Sequence, residues 1–218
     1  MKWAHTIKAV AFDMDGLLVN TETLYTQVSD IILMRRGKRF SLELKRKMMG
    51  LKAAEAFRVM IDQENLTDSV DVLQRETKSE FEKILADQLC LLPGVHVLLD
   101  LLDAKGIPRC IATSSSSEFA ARVLELTKIR SRFDFVVTAE LVAQGKPAPD
   151  IYHLAAQRLE VEPNNMLVLE DSQHGCAAGV AAGACSIAVP GEHSLDHDFT
   201  GSFLVADSLD DPRIAAQF

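Results

Sequence analysis

The run Ile7-Lys8-Ala9-Val10-Ala11-Phe12-Asp13-Met14-Asp15-Gly16 decides the fold. Residues 7–12 are mainly apolar and partly β-branched, and they stop at two carboxylates and a glycine. That composition predicts a buried strand ending in a polar loop. Two carboxylates two positions apart repel one another unless a proton or a cation intervenes. A divalent ion with oxygen ligands resolves the conflict, and Gly16 lets the backbone turn sharply beside it. A turn built from Asp and Gly accounts for the same residues without chemistry, so the run needs partners elsewhere in the chain.

Downstream the period changes. Leu24, Val28, Ile31, Ile32 and Arg35 recur at spacings of three and four, which predicts a helix over 22–36 stopped by Gly37. Ser41, with Leu44 and Met48 after it, opens another helix, and 52–62 and 69–88 are helical by the same criterion. After Leu92-Pro93-Gly94 the pattern alternates. Helices are expected over 95–104, 118–126, 150–159 and 175–182, and strands over 109–112, 133–137, 166–169 and 185–189. Alternation of this kind implies βαβ units and a parallel sheet. The expected fold is therefore α/β: a Rossmann-like parallel sheet flanked by helices, with an inserted all-α domain. Residues 1–18 and 92–218 would form the core and 19–91 the insert.

Composition limits the functions available. The chain of 218 residues is 48% hydrophobic and carries a formal net charge of -8. An acidic chain is poorly suited to nonspecific nucleic-acid binding, which rests on phosphate neutralisation by cations. No apolar run reaches the ~18 residues of a membrane helix, and Lys2, His5 and Lys8 interrupt any N-terminal leader pattern. Cys90, Cys110, Cys176 and Cys185 contain no Cys-x-x-Cys pair and read as buried free thiols. A cytoplasmic monomer that meets neither nucleic acid nor membrane is expected.

Three polar signals fall where strands are expected to end: Asp13/Asp15, Thr113/Ser114 and Glu170/Asp171. In open parallel sheets, ligands bind beyond the carboxyl ends of the strands. Glu170-Asp171 is a second acidic pair that would suit Mg²⁺, a hard ion that prefers carboxylates and water; a helix N-cap at Asp171 or Ser172 is the structural alternative. The Thr113 and Ser114 hydroxyls and amides could hold phosphate oxygens or simply cap a loop, and Ser115 to Ser117 read as loop and cap residues. Lys146 sits in Gly145-Lys146-Pro147-Ala148-Pro149-Asp150. Two prolines stiffen that loop until Asp150 caps the next helix; the lysine is either a phosphate-binding cation or a solvated turn residue.

Taken in order, Phe12-Asp13-Met14-Asp15-Gly16, Thr113-Ser114, Gly145-Lys146-Pro147-x-Pro149-Asp150 and Glu170-Asp171-Ser172 resemble the haloacid dehalogenase superfamily over nearly the whole chain. The helical insert resembles its members with a type C1 cap, in the branch of β-phosphoglucomutase, pseudouridine-5′-phosphatase and sugar-phosphate phosphatases. The resemblance implies that Asp13 is a nucleophile forming an aspartyl-phosphate and that Asp15 is the general acid/base. It implies that Thr113 and the Ser114 amide bind the transferring phosphoryl, beside Gly16, and that Lys146 offsets the charge. Asp13, the Asp15 carbonyl, Glu170 and Asp171 would hold Mg²⁺.

The expected activity is Mg²⁺-dependent hydrolysis of a small phosphorylated metabolite, a sugar phosphate or nucleoside monophosphate. Two departures disfavour the mutase, a hydroxyl-directed relative: Tyr25 stands where it carries a histidine, and Ala53 where it carries an arginine. Lys52 is a candidate substrate contact from the cap or a solvated helix-start lysine. Asn20 replaces the usual aspartate in the linker and keeps its hydrogen-bonding shape. A non-catalytic phosphate-binding protein is the alternative of another class. His193, His197, Asp196 and Asp198 read as a solvated loop, metal binding being the alternative; His174 lines the edge of the site or simply starts a helix, and Trp3 has no assigned role.

Overall fold

A computed structural model of the chain describes residues 2–48 and 53–218. Its backbone divides into two compact units, Met1–Asn20 with Cys90–Phe218, and Thr21–Leu89. The first unit contains the strands β1 Ala9–Phe12, β2 Arg109–Thr113, β3 Phe135–Thr138, β4 Met166–Glu170, β5 Cys185–Ala188 and β6 Leu204–Val205. Among the described residues they form one six-stranded sheet, parallel throughout, in the order β3-β2-β1-β4-β5-β6. The central strands are buried on both faces, as a parallel sheet covered by helices requires.

Side chains alternate across the sheet. Ala9, Ala11, Cys110, Ala112 and Val168 pack with Ile151, Tyr152 and Ala155 in one buried cluster, while Phe12 meets Phe133 edge-on with ring centroids 5.6 Å apart. Trp3 fastens the N-terminal segment: its indole N–H donates to the Asn164 carbonyl at 2.9 Å and its ring packs against Phe203.

The second unit is helical. Its helices are α1 Thr21–Met34, α2 Leu42–Met48, α3 Ala53–Glu64 and α4 Val70–Gln88. Apolar residues at helical spacing, Leu24, Val28 and Ile32 on α1 and Leu73, Phe81 and Leu85 on α4, are buried where these two helices pack. Ser69 caps α4, its side chain accepting from the Val72 N–H. Arg36 pairs with Asp68 and Glu76, each at 2.7 Å. Tyr25 stacks on Phe81 at 4.0 Å.

The connections lie in the first unit. Val19 pairs antiparallel with Leu91, and the Leu92 N–H donates to the Leu18 carbonyl at 2.9 Å. Asn20 Oδ1 accepts the Cys90 N–H at 2.9 Å. These bonds join residues 18–20 to residues 90–92 within the first unit. The remaining helices are α5 Val95–Lys105, α6 Ser117–Thr127, α7 Asp150–Arg158, α8 Gln173–Ala181 and α9 Pro212–Ala215. β6 and α9 have two and four residues, too short for a periodicity to register. Cys110, Cys176 and Cys185 are buried free thiols, but Cys90 is exposed, on the connection that follows α4. Asp150 is not a cap: it occupies the first turn of α7 and accepts the Gln144 N–H at 3.2 Å, while Pro149 holds the cap position.

Candidate active site

β1 lies between β2 and β4, so the chain leaves it in both directions across the sheet. That reversal opens a crevice at the carboxyl ends of these three strands. Asp13 follows β1 directly and is fixed there by its own N–H, which donates to the Leu169 carbonyl at 2.9 Å. Glu170 ends β4 and Asp171 follows it. One carboxylate oxygen from each of Asp13, Glu170 and Asp171 lies within 4.8 Å of the others, and all three residues are buried.

Lys146 reaches this trio from the loop before α7. Its ammonium donates to Asp13 Oδ1 at 2.5 Å and to the Ala112 carbonyl at 2.9 Å, and it pairs with Glu170 Oε1 at 2.6 Å. Its side chain is 5% exposed, so the solvated-turn alternative does not describe it. The same ammonium lies 5.4 Å from the Tyr152 ring centroid, and the Tyr152 hydroxyl donates to Glu170 Oε1. Glu170 also accepts from the Ser172 hydroxyl, which itself accepts the Gly175 N–H as the cap of α8.

The electrostatics follow from the crowding. Burial raises the Asp13 carboxyl well above the usual carboxylate range; Lys146 opposes this, and Glu170, Asp171 and Asp15 reinforce it. Burial alone would depress the Lys146 ammonium, but Asp13 and Glu170 outweigh it and hold Lys146 above its ordinary value. Burial and then Glu170 likewise raise the Tyr152 phenol, so it stays a donor. Three buried carboxylates against one lysine make a donor set that suits a hard divalent cation.

Asp15 forms a second cluster. Its Oδ2 accepts the Thr113 hydroxyl at 3.2 Å and the Ser115 hydroxyl at 2.7 Å, and the Ser115 N–H donates to Thr113 Oγ1 at 3.0 Å. Ser115 therefore belongs to the site rather than to a cap; Ser116 caps α6 instead. No sequence signal separated these serines, because each follows the strand at a similar distance. Ser114 is exposed between the two hydroxyls that bind Asp15. Gly16 has φ +81°, and a Cβ there would lie 2.5 Å from Asp171 Oδ2 and 2.8 Å from the His193 ring; only glycine fits both the backbone and the space. Lys52 lies outside the described residues.

The C-terminal His/Asp loop divides. His193 Nε2 meets Asp171 Oδ2 at 2.5 Å, so this residue is at the site and not in solvent. His197 Nδ1 receives the Gln173 N–H at 3.3 Å. His174 is exposed on the first turn of α8. Among the described residues, the carboxylate trio is the cluster with metal-holding geometry.

Residues 10–189 match the family model described as haloacid dehalogenase-like hydrolase. The chain belongs to that family. It is 40% identical over 204 residues to (DL)-glycerol-3-phosphatase 1, mitochondrial, of Arabidopsis thaliana, covering 89% of this chain and 67% of that one. It is 32% identical over 177 residues to the phosphorylated carbohydrates phosphatase of Thermotoga maritima, covering 81% and 82%. The structure of CbbY from Rhodobacter sphaeroides in complex with phosphate superposes with a TM-score of 0.77 at 27% identity, over 94% of this chain and 95% of that one. These hydrolases include enzymes named for small phosphorylated substrates. No described helix is long and apolar enough to cross a membrane.

Proposed function

We propose that this hydrolase is a Mg²⁺-dependent phosphatase of a small phosphorylated metabolite, a sugar phosphate, polyol phosphate or nucleoside monophosphate, acting through a phosphorylated Asp13. The observation that carries the proposal is the Lys146 ammonium joining Asp13 to Glu170 beside Asp171, all buried at the strand ends. Asp13 Oδ attacks phosphorus in line with the ester oxygen. The P–O bond to the alcohol breaks, and Asp15 gives that oxygen a proton. Asp15 then takes a proton from water, whose oxygen attacks the same phosphorus and restores the Asp13 carboxylate. Two displacements replace one difficult step.

The Thr113 and Ser115 hydroxyls hold Asp15 beside the nucleophile strand, and a positioned acid of this kind contributes about 10²–10⁴-fold. Thr113 and the Ser114 amide are assigned to the phosphoryl oxygens. Lys146 favours the ionised form of Asp13 and meets the charge that develops on the phosphoryl group. Asp13, the Asp15 carbonyl, Glu170 and Asp171 would hold Mg²⁺, which would supply further positive charge against the phosphoryl oxygens.

The sheet unit is read as the catalytic core and the helical unit as a cap that selects the substrate. Tyr25 supports hydrolysis over mutase chemistry, because it is an aromatic side chain stacked on Phe81 and carries no imidazole for a sugar hydroxyl. Burial raises the Cys176 and Cys185 thiols to about 12, so both stay protonated and unreactive.

Purified protein with Mg²⁺ should release phosphate from an aryl phosphate and from members of a metabolite panel that includes glycerol 3-phosphate. Asp13→Asn should abolish release. Equal inertness of wild type and variant across the panel would sink the enzyme reading in favour of a binding protein. Conversion of β-glucose 1-phosphate to glucose 6-phosphate without net phosphate release would move it to the mutase.

A further inference from the structure

We propose that His193 is a positioning residue for Asp171: it fixes the orientation of that carboxylate and thereby sets the affinity of the site for a divalent cation. The inference rests on the reading of Asp13, Glu170 and Asp171 as cation ligands. His193 lies 22 residues beyond Asp171, in the loop after β5, yet its Nε2 meets Asp171 Oδ2 at 2.5 Å. A carboxylate only accepts, so Nε2 carries the hydrogen and donates.

The imidazole is seated by construction. A Cβ on Gly16 would lie 2.8 Å from its Cε1 and Nε2, and one on Gly191 would lie 2.8 Å from Cε1 and 3.0 Å from Nδ1. The ring thus lies in a slot lined by two glycines, and a side chain at either position would clash with it. The turn that carries it is also locked. The Gly191 N–H donates to Ser194 Oγ at 3.1 Å, the Ser194 N–H returns to the Gly191 carbonyl at 3.0 Å, and Ser194 is fully buried. The His193 side chain itself is 12% exposed.

A carboxylate has two oxygens. With Oδ2 held by an imidazole, the rotation of Asp171 is fixed before a cation arrives, and the ordering cost of binding falls. Outer partners of this kind change metal affinity by about 10–100-fold when removed.

The test compares His193→Leu with His193→Gln. Both fill the slot, but only glutamine keeps an N–H at the reach of Nε2. Thermal melting in EDTA checks that both fold. Mg²⁺ binding is then read by isothermal titration calorimetry on substrate-free protein, and kcat is read at saturating Mg²⁺. The leucine variant should bind Mg²⁺ about 10–100-fold more weakly, with kcat at saturation changed far less, and glutamine should recover most of the affinity. Leucine binding Mg²⁺ within roughly twofold of wild type, or leucine and glutamine binding it equally, overturns the proposal. Wild-type protein that binds no Mg²⁺ would overturn the cation reading itself, a result distinct from the first two.

Discussion

Lys146→Met gives the sharpest test of the site's electrostatics. Methionine nearly fills the volume, so the change removes a charge and leaves little cavity. The ammonium contacts Asp13 at 2.5 Å and Glu170 at 2.6 Å with 5% exposure. At an effective dielectric of about 20, each contact is worth roughly 6–7 kcal/mol of direct attraction. Desolvation of each ion opposes this by several kcal/mol, so deleting one partner of a buried pair costs about 3–5 kcal/mol net. For a chain of this size that corresponds to a Tm lower by about 6–20 °C in EDTA. Asp13→Asn in the same background should return part of the loss, because the two residues are coupled. The kcat for phosphate release should fall about 10²–10³-fold, the range seen when one group opposing transition-state charge is deleted. Calorimetric melting in EDTA and steady-state phosphate release are the assays. A Tm within about 2 °C of wild type would refute the claim that Lys146 neutralises this cluster.

Two further outcomes follow from local geometry. In Gly175→Ala the new Cβ would sit 1.9–2.0 Å from the Glu170 carboxyl group, so that carboxylate must move; we expect a loss of about 1–3 kcal/mol in thermal melts together with weaker Mg²⁺ binding by calorimetry, and unchanged binding would mean that Glu170 is not a ligand. In the helical unit, hydrogen bonds from Arg36 hold Asp68 and Glu76 below the usual carboxylate range. Their contribution is complete above the unfolded values of about 4 and is lost as pH falls through the folded ones. Arg36→Met should therefore lower Tm at pH 7 and cease to matter near the acid limit, whereas a deficit that is constant with pH would show that packing, not charge, is what Arg36 supplies.

The sheet was legible because a strand buried on both faces must be an apolar run. Residues 9–12, 109–113 and 166–170 carry that signature, the first followed at once by Asp13 and the others ending in Thr113 and Glu170. The site was legible where those ends coincide: Asp13, Thr113 and Glu170-Asp171 could be grouped before any distance was known. Contacts across the fold were not. Ser115 reaches Asp15 over 100 residues, and its hydroxyl reads like any loop serine until the two strand ends are side by side. Tyr152 has the helical spacing of a core residue, which it is; that its hydroxyl meets Glu170 depends on where α7 crosses the sheet. His193 was hidden by its company. Glu192, Ser194, Asp196 and Asp198 make a polar loop, and polarity marks solvent exposure on average, not for each residue.

Asp13 and Asp171 take their environments from different parts of the chain, and the difference bears on their roles. Asp13 has an ammonium beside it, yet burial and three neighbouring carboxylates still raise its carboxyl well above the ordinary range. On the proposed reading Asp13 must be ionised to attack; Lys146 opposes the rise without reversing it, and a divalent cation would add to that opposition. Asp171 meets an imidazole from a loop that follows β5, outside the four ordered motifs. The Asp13-Met14-Asp15-Gly16 turn joins the two: Asp13 is the proposed nucleophile, and Gly16, having no side chain, leaves room for His193 to reach Asp171. The glycine that read as the pivot of a sharp turn is thus also a spacer, and its replacement would push the imidazole and the Asp171 carboxylate apart.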